Sequence, residues 1–374
     1  MKAITTICVF VLGICNVSGQ ISAATEKFAL PTSLSESSGA IFFNDKLITH
    51  NDSGGENKLY ELDTISATIT RTVTISNAIN VDWEDIAQDD TSIYVGDIGN
   101  NVSGNRTDLK IYKVSKNDYL NSTNVTAETI AFSYSDQTDY TAQTANTTEW
   151  DAEALVSFDA THLILFTKNW INGTTKAYLV SKAPGTYALT PLATTLNSGG
   201  LITGGTYNPL TGKLFLVGYT NILQPFVWEC EGFSGGDVFS GTNTQTALTS
   251  LGFEQAESIA YVNENRYFIT SESFSQSIIS DYAKLIGVST NDVALSMNQE
   301  ELKRNIVLYP NPVNDILHVE NGIVNSVEIY DTRSVLIYKG NSRNIKMSGY
   351  SKGIYIVKIA FNDGFFVTKK IVKI

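Results

Sequence analysis

Trp83-Glu84-Asp85-Ile86-Ala87, followed by Ile93-Tyr94-Val95-Gly96-Asp97, reads as a short strand that begins in charge, a polar turn, and a more apolar strand that ends in charge. The unit recurs. Earlier in the chain stand Glu36-Ser37-Ser38-Gly39-Ala40-Ile41 and Leu47-Ile48-Thr49-His50-Asn51-Asp52. Later come Ala152-Glu153-Ala154-Leu155-Val156 with Leu163-Ile164-Leu165-Phe166-Thr167-Lys168, then Thr203-Gly204-Gly205-Thr206-Tyr207 with Leu214-Phe215-Leu216-Val217-Gly218-Tyr219. The last copy is Ala256-Glu257-Ser258-Ile259-Ala260 with Tyr267-Phe268-Ile269-Thr270-Ser271-Glu272. Each copy continues into a third strand, such as Leu109-Lys110-Ile111-Tyr112-Lys113-Val114, and most into a fourth, such as Thr70-Arg71-Thr72-Val73-Thr74-Ile75. Four antiparallel strands repeating at about fifty residues describe a β-propeller blade. The count is five blades, or six if a degenerate copy is present; a large β-sandwich or a β-solenoid is the competing all-β reading. The fifth copy lacks a fourth strand, and Lys27-Phe28-Ala29-Leu30 from the N-terminus could close the ring.

The flanks differ from the repeats. Lys2 precedes an apolar run from Ile4 to Cys15, then small residues to Gly19. This reads as a secretory signal peptide over residues 1–19, too short to span a bilayer. Its removal would leave Cys230 as the single cysteine, so the mature chain would hold no internal disulfide and Cys230 is expected to be a buried apolar residue. No later segment is long and apolar enough to span a membrane. Residues 20–299 carry 14 Lys+Arg against 31 Asp+Glu, and residues 300–374 carry 11 against 7. An acidic main domain argues against nucleic acid and anionic membrane as partners and is compatible with bound cations. The charge change places a propeller at residues 20–290, a polar linker at 291–304 and a separate module at 305–374.

That module opens with Leu308-Tyr309-Pro310-Asn311-Pro312. Alternating runs at Ile316–Val319, Val327–Tyr330, Ile354–Ile359 and Phe366–Val372 predict a small, Ig-like antiparallel β-sandwich. These elements, with Asp331, Ser351-Lys352-Gly353-Ile354-Tyr355 and the closing Lys369-Lys370-Ile371-Val372, resemble the C-terminal sorting domain of type IX secretion cargo. Ser351 stands where that family usually has leucine. The resemblance implies the type IX secretion machinery as a partner through residues 305–374. It also implies a secreted protein, extracellular or attached to the outer surface of a Gram-negative bacterium.

In a propeller, the starts of first strands and the ends of second strands share one face. That face is expected to collect Glu36, Glu84, Asp97, Glu153 and Glu257 as a metal set, with Asp52, Asn100, Lys168 and Glu272 as ligand contacts. Two like charges ~4 Å apart cost about 4 kcal/mol at an effective dielectric of ~20, so such a ring binds a cation, admits water or raises some pKa values. All-oxygen donors suit Ca²⁺. The alternative is glutamates hydrogen-bonded to neighbouring N–H groups in a wet channel. Trp83-Glu84-Asp85-Ile86-Ala87 with Tyr94-Val95-Gly96-Asp97-Ile98-Gly99-Asn100 has a distant resemblance to phytase-like and calcium-dependent nucleotidase propellers. It implies carboxylate-bound Ca²⁺ polarising a phosphate, with Lys168 and Arg106 as phosphate contacts. The chain has no His-Glu-x-x-His or phosphate-loop motif. Two functions follow: a ligand-binding propeller taking a glycan or a phosphorylated ligand, or a Ca²⁺-dependent phosphoester or nucleotide hydrolase. Trp83, Trp150, Trp170 and Trp228 are expected to pack between blades rather than to stack on sugars.

Overall fold

The computed structural model describes residues 21–276, 278–295, 306–320, 324–333, 335–361 and 366–374. The expected signal peptide, residues 1–19, and residues 296–304 of the expected linker lie outside them. The chain packs into two units, divided between Ala294 and Leu295.

Among the described residues the first unit has seven sheets, of which five are blades and two are small two-stranded sheets. β1 (Ile21–Ala29) precedes a first blade of β2 (Ser37–Phe43), β3 (Lys46–Asn51), β4 (Lys58–Leu62) and β5 (Ile69–Ile75). The second blade is β6 (Trp83–Gln88), β7 (Ser92–Asp97), β8 (Lys110–Ser115) and β9 (Glu128–Tyr134). The third is β10 (Ala152–Ser157), β11 (His162–Thr167) and β12 (Ala177–Ser181). Its next strand, β13 (Gly185–Leu189), crosses to the second blade and runs parallel to β9. The fourth blade is β14 (Leu201–Asn208), β15 (Lys213–Tyr219), β16 (Pro225–Glu231) and β17 (Thr242–Ala247). The fifth is β18 (Gln255–Tyr261), β19 (Arg266–Glu272) and β20 (Lys284–Thr290), and β1 supplies its fourth strand, antiparallel to β20. The innermost strands β2, β6, β10, β14 and β18 are neighbours in that order, and β18 returns to β2. The fold is thus a five-bladed propeller closed by its N-terminal strand.

The sequence pattern explains the layering. Second strands are covered on both faces, so Leu163, Ile164, Leu165 and Phe166 form one unbroken apolar run, each fully buried. Outer strands have one wet face and alternate: in β9, Ile130, Phe132 and Tyr134 are buried while Glu128 and Ser133 are exposed. Leu189 of β13 is buried with Ile130, Phe132 and Tyr134, which gives the crossing strand its apolar anchor. Trp83 is fully buried among residues of the first two blades, edge-on to His50 at 5.6 Å. Cys230 is buried, and burial pushes its thiol up to about 12.

The second unit is a two-sheet sandwich. β21 (Val307–Tyr309), β22 (Ile316–Glu320) and β25 (Asn344–Lys346) form one sheet. β23 (Val324–Tyr330), β24 (Leu336–Gly340), β26 (Gly353–Phe361) and β27 (Phe366–Lys373) form the other, in the order β24-β23-β26-β27. Alternate residues Leu317 and Val319, Val327 and Ile329, and Val357 and Ile359 enter a shared core.

Candidate metal and ligand site

Each innermost strand carries a β-bulge near its start. The pairing register slips between Ser37 and Ala40, Trp83 and Ile86, Ala152 and Ala154, Ile202 and Gly204, and Ala256 and Ser258. A bulge inserts an unpaired residue and re-aims its side chain. Ser38, Glu84, Glu153, Thr203 and Glu257 therefore occupy equivalent places in the five blades. The two hydroxyls bind the next blade: Ser38 Oγ donates to the Glu84 carbonyl and Thr203 Oγ1 to the Ala256 carbonyl, each at 2.5 Å. The three glutamates, all at least nine-tenths buried, instead line a cavity of about 170 Å³ with Asp52, Glu272, Lys168, Trp170 and Tyr219.

Two groups of carboxylates converge there. In each, one oxygen per residue lies within 4.8 Å of the others: Asp52, Asp82 and Glu84, and Glu84, Asp151 and Glu153. The second group has partners. Asp151 accepts hydrogen bonds from the Asn100 backbone N–H at 2.6 Å and from Trp170 Nε1 at 2.7 Å. Glu153 accepts from Lys168 Nζ at 2.7 Å. Burial pushes the Glu153 carboxyl up and the Lys168 ammonium opposes it. Burial alone would lower Lys168, yet Glu153, Tyr219, Glu257 and Glu84 hold it well above its ordinary value. In the first group only the Ser53 N–H reaches Asp52. Among the described residues neither the Asp82 nor the Glu84 side chain has a hydrogen bond or an ion pair. Burial, then the charges of Asp52 and Asp151, push Asp82 up to about 7. Burial and then Glu153, Asp52 and Asp82 push Glu84 well above the usual range. Glu257 is pushed up to about 7 by burial against the pull of Lys168.

The oxygen-only donor set suits a hard divalent cation and not a soft one. Gly99 completes the cradle. A Cβ there would lie 2.2 Å from Glu84 Oε1 and 2.4 Å from Asp82 Oδ2, so any other residue would displace both carboxylates.

Of the residues expected at this face, Glu84, Glu153, Glu257, Asp52, Lys168 and Glu272 line the cavity. Three do not. Glu36 is exposed and sits two residues before the bulge, because Ser38 holds the place that Glu84 holds in its blade. Asp97 turns away: its carboxylate takes Arg106 Nη2 at 2.8 Å and the Asp82 N–H at 3.1 Å, with Lys110 at 3.7 Å. Asn100 supports rather than lines, through its N–H to Asp151 and Nδ2 to the Trp150 carbonyl. Arg106 is likewise committed, to Asp97, Asp108 and the Gly99 carbonyl. Asp82 and Asp151 are the acids the sequence reading missed. Their signal is an acid two residues before the bulge glutamate, in Asp82-Trp83-Glu84 and Asp151-Ala152-Glu153, and Glu36 occupies that same register. Of the tryptophans, Trp83 lies in the core, Trp150 and Trp228 pack half-buried against it, and Trp170 borders the cavity.

The chain thus joins a propeller with an acidic mouth to a small β-sandwich that follows it in sequence. Residues 307–374 match the family described as the secretion system C-terminal sorting domain, and the chain is a cargo of the type IX secretion system. Among the described residues no helix is long and apolar enough to cross a membrane. No curated protein matches the chain. Among solved structures, the PQQ-bound aldose sugar dehydrogenase of Streptomyces coelicolor aligns at 9% identity and a TM-score of 0.41, covering 73% of this chain and all of that one. PorZ, a surface component of the type IX secretion system of Porphyromonas gingivalis, aligns at 13% identity and a TM-score of 0.34, covering 90% of this chain and 45% of its own. YCF48 bound to D1 peptide aligns at 9% identity and a TM-score of 0.33, covering 90% and 92%.

Proposed function

We propose that the propeller is the ligand-binding part of a secreted or surface-attached protein, and that Asp52, Asp82 and Glu84 hold a Ca²⁺-like cation at its acidic mouth. The observation that carries this reading is the convergence of these three carboxylates without a lysine or arginine partner among the described residues. Like charges that close are costly, so each group either keeps a proton or meets a cation. Ca²⁺ takes six to eight oxygens, and three side chains leave positions for water or a ligand. The cavity beside them, about 170 Å³, admits a small oxygen-rich group, and Lys168 beside Glu153 offers it a positive contact.

The hydrolase alternative asks more of the same site. It needs phosphate contacts as well as the cation, and Arg106 already serves Asp97 and Asp108. The test is calcium titration calorimetry on residues 20–374 and on its Asp82→Asn and Glu84→Gln variants. Saturable binding lost in both variants is the expected result; no binding by the wild-type chain would remove the cation from the account. A phosphoester hydrolysis screen of the calcium-loaded protein then separates binder from enzyme.

A further inference from the structure

The innermost strands that start at the acidic mouth end at the opposite mouth of the channel, and their last residues are of a different kind. β2 ends in Phe42 and Phe43, β18 in Tyr261, and β14 carries Tyr207 one residue from its end. Phe158 follows β10 directly and Gln88 closes β6. These residues surround an open bowl of about 650 Å³. Phe43, Phe158, Tyr207 and Tyr261 each rest against a blade core and stay half-buried, away from the acidic site.

The state of each ring decides what the bowl can take. Phe43 is covered by Lys116 Nζ, 4.1 Å from its centroid. Phe42 leans on Phe268 at 5.7 Å, and Phe158 packs obliquely on Tyr207 at 5.4 Å, so these rings are fixed yet only half-buried. The Tyr207 and Tyr261 hydroxyls have no hydrogen-bond partner among the described residues. Gln88 Nε2 donates to the Phe42 carbonyl at 2.8 Å, which leaves its carboxamide oxygen as a free acceptor. Lys182 is nine-tenths buried and spent on Asp89, Ser157 and the Asp159 carbonyl. Asp90 adds an exposed carboxylate. The bowl thus offers fixed aromatic faces and unpaired hydroxyl and carbonyl groups; of its two lysines, Lys182 is held by Asp89 and Lys116 lies over the Phe43 ring.

We propose that this bowl binds a neutral carbohydrate chain, independently of the acidic mouth. A pyranose presents an apolar C–H face bordered by hydroxyls. Aromatic faces take the first, and tyrosine hydroxyls, the Gln88 oxygen and Asp90 take the second. An anionic polymer is disfavoured by the exposed Asp90 carboxylate, with Lys182 held by Asp89 and Lys116 drawn over the Phe43 ring. An apolar peptide would leave the polar groups unpaired.

The experiment is calorimetry of residues 20–374 against neutral hexasaccharides of glucose, xylose, mannose and N-acetylglucosamine, in excess chelator. The expected result is saturable binding of at least one, unchanged by chelator and by Asp82→Asn, and weakened at least about tenfold by Tyr207→Ala or Phe158→Ala, since a few aromatic anchors carry an outsized share of binding energy. Tyr207→Phe and Tyr261→Phe, which keep the rings, are expected to weaken binding less. Binding of none of the sugars, binding that needs calcium, or binding indifferent to both ring truncations would each overturn the proposal. Because the sugar titration is done without metal, its failure leaves the calcium reading untouched.

Discussion

Asp85 and Gly205 meet in the propeller's centre: the Asp85 carboxylate accepts the Gly205 N–H at 3.2 Å across 120 residues of sequence. The same carboxylate takes the N–H of Leu155 and of Ile86, each at 2.8 Å. One side chain therefore ties β6 to β10 and β14. Burial drives this carboxyl well above the usual range and the three N–H donors oppose that drive.

Asp85→Ala is expected to strand three buried donors and cost roughly 3 kcal/mol or more of stability. Asp85→Asn keeps one acceptor oxygen and is expected to cost less. Denaturant unfolding checks the order; equal, small effects would mean that the N–H groups find other partners.

Stability without calcium is expected to fall as pH rises from about 4 to about 7. The sign follows from Asp82 and Glu257, both held near 7 when folded and near their ordinary values when unfolded. Between those values the folded chain binds the extra protons, so removing them disfavours folding, by on the order of 2–4 kcal/mol per group at most. Calcium is expected to reverse the trend, raising Tm far more at pH 7.5 than at pH 5. A calcium effect that is the same at both pH values would contradict proton–metal exchange at these carboxylates.

Lys168→Met removes the one ammonium that lines the acidic cavity among the described residues and leaves Glu153 unpaired. Breaking a buried pair costs about 3–5 kcal/mol. With calcium the loss is expected to be smaller, and calcium affinity severalfold higher, because Glu84, Asp151 and Glu153 can then serve as a second oxygen set. Unchanged calcium affinity would show that the ammonium does not feel the cation.

Deleting residues 21–29 is expected to lower Tm by about 10 °C or more, because it exposes β20 as a free edge and opens the ring. An unchanged melting profile would mean that four blades hold the fifth without β1.

The repeat itself was legible because each blade spells its layers: unbroken apolar second strands, alternating outer ones, turn residues between. The use of β1 in the fifth blade could be read for the same reason, as a strand without a sheet beside a sheet short of a strand. The sideways step of β13 was not legible, since the apolar alternation of Gly185–Leu189 fits either blade. At the site, aligning the copies by Glu36 misplaced the first blade by two residues. A bulge leaves no local composition signal, so Ser38 did not announce itself as the partner of Glu84. Asp97 looked like a mouth residue because it ends a second strand; only the fold brings Arg106 and Lys110 onto it.

The most direct test is a crystal structure grown with Mn²⁺ or Tb³⁺ in place of calcium, read by anomalous scattering. The account predicts a single strong peak within about 2.0–2.6 Å of oxygens from Asp52, Asp82 and Glu84. A peak bound elsewhere, or none at this mouth while Lys168 stays on Glu153, would contradict it.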